Sequence, residues 1–308
     1  MTTPRSWTAS ELLKEKHPEP VFVVEKLLPV GLTILAGRPK SGKSRAALDL
    51  SIRVAVGGRF LGQECNTGLV HYYALEDGPR RLSRRLAALG GSDTDRLRFH
   101  CDAPHDLVTA IEDHYKAGTM LVVVDTVGRA WRFDHNDQEK VYEVMAPLQQ
   151  LATRYERSLV LIDHLRKGRG EVVNVEDVAG SIGKAASADT LWLLDRPGRK
   201  RNAVLDIVSR DLDEDLSLEL EPSKGGGWRC VGNADTVKRT EGRQKILDAA
   251  ARLARSDDQI TVTSVAEATG SDQGHVSRTL SDLVDLGDLD RLPKVGNLQP
   301  FALKKGAM

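Results

Sequence analysis

The sequence predicts an α/β fold, a mainly parallel sheet with helices on both faces, plus a small C-terminal winged-helix-like domain. Three observations predict it. Short apolar, β-branched runs alternate with amphipathic helical stretches over the first two-thirds of the chain. One of these runs, residues 32–36, passes straight into a glycine-rich turn and then a helix. Beyond about residue 232 the composition becomes polar, and a helix, a helix-turn-helix and an alternating segment follow in that order.

Taken in chain order, residues 10–16 read as a short helix ended by Pro18 and Pro20, and residues 21–29 as an extended or mixed segment. Residues 32–36 form a fully buried strand. Residues 44–56 form a helix with Ala47, Leu50 and Val54 along one side. Further buried strands are predicted at 69–75, 120–124, 158–162 and 191–194, with helices at 80–89, 105–117 and 138–155 between them. That alternation is the signature of a parallel sheet covered on both faces. Residues 203–209 and 217–220 read as later strands, and Trp228 closes that region. The expected organisation is an N-terminal extension at 1–30, the α/β domain at 31–231, an irregular linker at 232–242 and the small domain at 243–308. Within the last, Gly270 separates two helices at 262–269 and 272–286, and residues 287–303 read as a hairpin.

The totals narrow the class. With 308 residues, 29 % charged and 40 % hydrophobic, the chain reads as a globular protein of about two domains. Lys plus Arg balances Asp plus Glu at 44 each, so contact with nucleic acid would come from a local patch. The three cysteines, Cys65, Cys101 and Cys230, form no CxxC pair, which predicts neither a cysteine zinc site nor a disulfide framework. No run approaches the roughly 18 apolar residues of a membrane span, and the first residues lack an apolar signal core. A cytoplasmic location without a membrane partner is expected.

Gly37-Arg38-Pro39-Lys40-Ser41-Gly42-Lys43-Ser44 satisfies G-x-x-x-x-G-K-S/T, and Arg45 opens the helix behind it. Glycines let such a loop curl so that its N–H groups point at phosphate oxygens. Lys43 is placed to contact β- and γ-phosphates and Ser44 to hold Mg²⁺, so ATP with Mg²⁺ is the expected ligand. A second acid completes the magnesium shell from the end of another buried strand. Asp125 and Asp163 both qualify, and Asp125 is preferred because it ends the longer apolar run and precedes Thr126. Glu76, at the tip of the strand at 69–75, is the candidate carboxylate for the attacking water. That strand is expected beside the phosphate-loop strand, its end opening on the same crevice.

The succession GRPKSGKS, ALED, LVVVDT and LVLIDH resembles the RepA-type hexameric replicative helicases and their RecA-like relatives, over about residues 25–220. The resemblance implies a RecA-like core in which Glu76 is the catalytic base, Asp125 the Walker B residue and His164 a sensor of the γ-phosphate. It also implies a homo-hexameric ring with nucleotide at subunit interfaces. RepA-type proteins tend to carry an arginine after the small-residue helix; here Thr190-Leu191-Trp192 stands in its place. Arg210 is the first alternative for the cation offered to a neighbouring site, and Lys184 the second.

Two loops are candidates for single-stranded DNA. Arg166, Lys167 and Arg169 lie in a glycine-containing loop after His164, and Arg129 and Arg132 alternate with Trp131 and Phe133 after Asp125. Across residues 241–308, nine Lys or Arg face ten Asp or Glu. The helix-turn-helix could therefore read bases through Gln273, Ser277 and Arg278, or dock a replication protein; its partner stays open. The leading expectation is an ATP-hydrolysing, ring-forming helicase or translocase. The alternative is a recombinase-like or regulatory DNA-binding ATPase that uses ATP as a switch.

Overall fold

The computed structural model describes residues 6–14, 19–91, 93–131, 137–165, 182–196, 202–256, 258–285, 287–294, 296 and 298–304. They divide into two compact units, 1–231 and 232–308.

In the first unit, α1 (Ala9–Lys14) is followed by the pair β1 (Phe22–Val24) and β2 (Leu28–Pro29), then β3 (Gly31–Gly37) and α2 (Lys43–Val56). A small hairpin, β4 (Arg59–Phe60) and β5 (Gln63–Glu64), precedes β6 (Leu69–Ala74), α3 (Pro79–Ala88), β7 (Leu97–His100) and α4 (Leu107–Lys116). Next come β8 (Thr119–Asp125), α5 (Val127–Ala130), α6 (Gln138–Tyr155), β9 (Ser158–His164), α7 (Ile182–Ser187) and β10 (Thr190–Asp195). The meander β11 (Ala203–Ser209), β12 (Leu216–Pro222) and β13 (Trp228–Asn233) ends it.

Among the described residues nine strands form one sheet, ordered β13-β12-β11-β10-β3-β9-β8-β6-β7. The six strands from β10 to β7 are parallel, and β11 and β12 run antiparallel. All seven residues of β3 are buried, as a central strand covered on both faces requires. One face carries Leu35, Ala47, Leu50, Val54, Tyr72, Val123 and Ile162 in a core built on α2. The other carries Ile34, Tyr73, Ile111, Val124, Met145, Leu148 and Leu161 under α4 and α6. This is a RecA-like α/β core with the expected strands.

One expected neighbour is corrected. The strand that ends toward Glu76, β6, does not lie beside the phosphate-loop strand; β9 and β8 are inserted between them. Because all four are parallel, their C-terminal ends still share one edge of the sheet. The sequence pattern gives strands without giving their order, and β9, fifth in the parallel series by chain position, pairs directly with β3.

The second unit contains α8 (Ala234–Arg255), α9 (Val262–Thr269), α10 (Gln273–Asp285) and the antiparallel pair β14 (Leu289–Arg291) and β15 (Phe301–Leu303). Ile246, Ala250, Val265, Val276, Leu280, Leu283 and Phe301 form its own core. Thr261 caps α9 through a reciprocal pair of bonds with Ser264, and Gly270, at φ 64°, ends it. The irregular linker expected at 232–242 is largely helix instead. The Thr236 N–H donates to Asn233 Oδ1 at 3.1 Å, starting α8 before any glycine or proline can interrupt it. Gly242 is carried inside the helix, at a cost of about 1 kcal/mol relative to alanine.

Candidate nucleotide site

The C-terminal edge of the parallel strands holds a cleft of ≈ 500 Å³ whose lining includes Lys40, Lys43, Ser44, Arg45, Glu76, Arg85, Thr126, His164, Arg196 and Trp228. Five of these are cationic side chains against one carboxylate, a balance suited to a triphosphate. The loop that forms its floor needs its glycines for space. A Cβ at Gly37 would stand 2.4 Å from the Leu194 carbonyl oxygen. Gly42 has φ +110°, and a Cβ there would stand 2.8 Å from the Trp228 ring. Gly42 leads into α2 without any side-chain cap, and no acid occupies the first turn, so the helix start is electrostatically open to an anion. Pro39 and Lys40 are exposed, Ser41 is buried, and Arg38 approaches Asp195 at 3.6 Å.

Lys43 is buried, and its ammonium donates to the carbonyls of Gly37 at 2.7 Å and Arg38 at 3.0 Å. Burial pushes its pKa down to about 8, against the pull of Asp125, Asp163 and Glu76. His164 Nδ1 lies 3.5 Å from the same ammonium. Burial, and then Lys43, lower the His164 pKa, opposed by Glu76 and Asp163.

Three carboxylates surround Lys43, and their partners separate their roles. Asp163 is buried and ion-paired with Lys184 at 2.7 Å, both ends almost fully enclosed. That pairing removes Asp163 as the free metal acid. It also corrects the expectation for Lys184, which is 1 % exposed and cannot reach another subunit. Asp125 is equally buried, but it accepts the Tyr72 hydroxyl on Oδ2, at 2.8 Å, and its Oδ1 has no hydrogen-bond partner among the described residues. Burial raises the Asp125 pKa, opposed by Tyr72 and the Ser44 hydroxyl. A buried, unsatisfied carboxylate oxygen next to a serine at the helix start is an oxygen donor set fitting a hard dication such as Mg²⁺. The Asp125–Thr126 peptide bond is cis.

Glu76 faces the cleft with its side chain 41 % exposed, accepting from Thr126 Oγ1 at 3.1 Å, with Arg129 Nε at 3.9 Å. It reaches the site across the end of β8. Asp77, next in sequence, is instead buried and paired with both Arg81 and Arg85. A second concavity of ≈ 660 Å³ lies on the other side of Glu76, lined by Arg80, Arg81 and Arg84 of α3.

Arg210 sits at the opposite end of the sheet. It follows Ser209, which pairs with Thr190 at the start of β10, whereas Leu194 pairs with Gly37. Its guanidinium donates to the Ala186 carbonyl at 3.0 Å and lies 3.7 Å from Asp189. The phosphate loop of its own chain is therefore out of its reach. Arg129 is exposed on α5, and Trp131 packs partly buried against the core. Arg132, Arg166, Lys167 and Arg169 lie outside the described residues.

Trp228 is the residue the sequence reading missed as part of the site. It is 7 % exposed, its Nε1 has no hydrogen-bond partner, and the Arg196 guanidinium lies 5.0 Å from its ring centroid. Its distance in sequence from the loop hid it.

Fold and site together define a P-loop nucleotide-binding domain of RecA-like architecture. A family model described as an AAA domain matches residues 2–170, more than half of the chain, and the chain belongs to that family of P-loop ATPases. No curated protein matches it. Among the described residues no helix is long and apolar enough to cross a membrane.

Proposed function

We propose that the chain hydrolyses Mg-ATP and, as a ring-forming helicase or translocase resembling the RepA type, converts hydrolysis into movement along single-stranded DNA. The observation that carries the ATPase reading is the unsatisfied Asp125 Oδ1 beside Ser44 and Lys43. Lys43 would hold the terminal phosphates, and Ser44 and Asp125 would hold Mg²⁺, whose positive charge would offset that of the phosphates. Glu76, exposed to the cleft and steadied by Thr126, orients and deprotonates the attacking water. His164, touching Lys43 and ending β9, senses the terminal phosphate and passes the change to the basic loop beyond it. Arg210, turned away from its own cleft, is the cation offered to a neighbouring subunit's nucleotide. The basic stretches with Arg129, Arg132, Arg166, Lys167 and Arg169 supply the DNA contacts. The second unit, with Gln273, Ser277 and Arg278 exposed on α10, acts as a winged helix toward DNA or another replication protein.

The test is ATP turnover of the full chain with and without single-stranded DNA, beside Lys43→Ala and Glu76→Gln. Glu76→Gln is expected to keep Mg-ATP binding and lose turnover by about 10²–10⁴-fold. Unchanged turnover would remove Glu76 from the mechanism. Absence of both DNA stimulation and higher-order assembly would overturn the motor and favour an ATP-operated switch.

A further inference from the structure

Three imidazoles from three separate elements meet on the sheet face covered by α4: His71 of β6, His100 of β7 and His114 of α4. One ring nitrogen from each lies within 4.8 Å of the others. His71 Nδ1 and His100 Nε2 are 2.9 Å apart, and the rings of His71 and His114 have centroids 3.7 Å apart. The Tyr73 hydroxyl lies 2.7 Å from His114 Nε2. We propose that His71, His100 and His114 form a binding site for a borderline transition-metal dication of the Zn²⁺ class, with Tyr73 as an orienting residue behind His114.

Geometry comes first. Nitrogens bound at about 2.0–2.1 Å in a tetrahedral zinc shell stand roughly 3.3 Å from one another. The spacing of the trio brackets that value, so an ion needs side-chain shifts of up to about 1.5 Å. His71 is 5 % exposed, while His100 and His114 are half-buried, which gives a site anchored inside and reachable from the β7 edge.

Imidazole ligates as the neutral ring. Arg98 repels a dication and Asp113 attracts one; both are exposed and attenuated by solvent.

Selectivity separates this site from the nucleotide cleft. Mg²⁺ prefers oxygen donors, whereas an all-imidazole set selects Zn²⁺, Cu²⁺, Ni²⁺ or Co²⁺. The consequence is mechanical. An ion here would staple edge strand β7 and helix α4 to β6, in which Tyr72, the residue after His71, holds Asp125.

The experiment uses the full chain, stripped with chelator, free of nucleotide, and titrated with Zn²⁺ by calorimetry and with Co²⁺ by visible absorption. One Zn²⁺ per chain, a raised melting temperature and Co²⁺ bands of nitrogen coordination are expected. His100→Gln and His114→Gln should each weaken binding by about 100-fold or more, and Tyr73→Phe by about tenfold. Lys43→Ala should bind as the wild type does. Failure of the folded wild-type chain to retain Zn²⁺ would overturn the proposal and leave a neutral, hydrogen-bonded histidine cluster. Binding that survives both glutamine substitutions would overturn it too. If those variants do not fold, the wild-type Co²⁺ spectrum decides, since thiolate charge-transfer bands would move the ion to a cysteine.

Discussion

The ends of β8 and β9 make a natural pair. Both strands are parallel and adjacent with apolar middles, and each runs into a buried aspartate, Asp125 at 4 % exposure and Asp163 at 5 %. Read as sequence they are near duplicates. In the fold their partners differ. Asp163 is neutralised by an ammonium from α7, whereas Asp125 meets one phenol and keeps an oxygen unpaired. A buried carboxylate in a direct ion pair is finished structure; one with an oxygen left unpaired keeps capacity for a further cation. The strand end by itself therefore decides nothing, and the charge brought to it decides the role.

The largest effect expected from this contrast is on stability. Lys184→Met keeps volume but leaves Asp163 buried and uncompensated, which should cost about 3–5 kcal/mol and show as a large fall in melting temperature. Asp125→Asn should do the reverse. Burial already raises the Asp125 pKa, so removing the charge should leave the melting temperature unchanged or higher. The same variant should lose ATP turnover through loss of the metal. Equal destabilisation by the two substitutions, measured by thermal denaturation without nucleotide, would break the comparison.

That contrast also marks what was legible beforehand. The phosphate loop was, because Gly37, Gly42, Lys43 and Ser44 are contiguous and their spacing follows from one loop geometry. The strands were, because central parallel strands need unbroken apolar runs. Strand order was not, since β9 reaches β3 through long-range pairing that leaves no local pattern. The short edge strand β7 and the β4–β5 hairpin also escaped, lacking such a run. Run length favours Asp125 over Asp163 in the sequence, whereas in the fold the two differ through Lys184, 21 residues downstream of Asp163. Trp228 and the histidine trio were invisible for a similar reason: each depends on side chains that only the tertiary fold brings together.

Lys43 offers a medium-sized test, because it feels both acids. Asp125 contributes more than Asp163 to holding its pKa up, and burial holds it down at about 8. A triphosphate prefers the charged ammonium and raises that pKa on binding. Affinity is therefore full below about pH 8 and falls as pH rises above it, by up to tenfold per unit until the bound-state pKa is reached. Asp125→Asn removes the larger supporting charge, so its decline should begin at lower pH. Metal-free nucleotide titrations across the alkaline range would read both curves. A pH-independent affinity up to pH 10 would show that the ammonium is not what holds the phosphates.

The smallest effect tests whether unpaired burial, the feature distinguishing Asp125 from Asp163, marks the ligand side elsewhere. Trp228 Nε1 shares it, buried and without a partner against Gly42. If the rule holds, the indole N–H faces the nucleotide, and Mg-ATP should change the emission of Trp228. The chain has four tryptophans, so the change must be assigned by difference with Trp228→Phe, which keeps the ring packing and removes the donor. That substitution should weaken ATP binding by about tenfold, the low end of the worth of one hydrogen bond to a charged group. A nucleotide-dependent signal that persists in full without Trp228 would confine the rule to Asp125, because the indole would then be no more than a lid over the glycine.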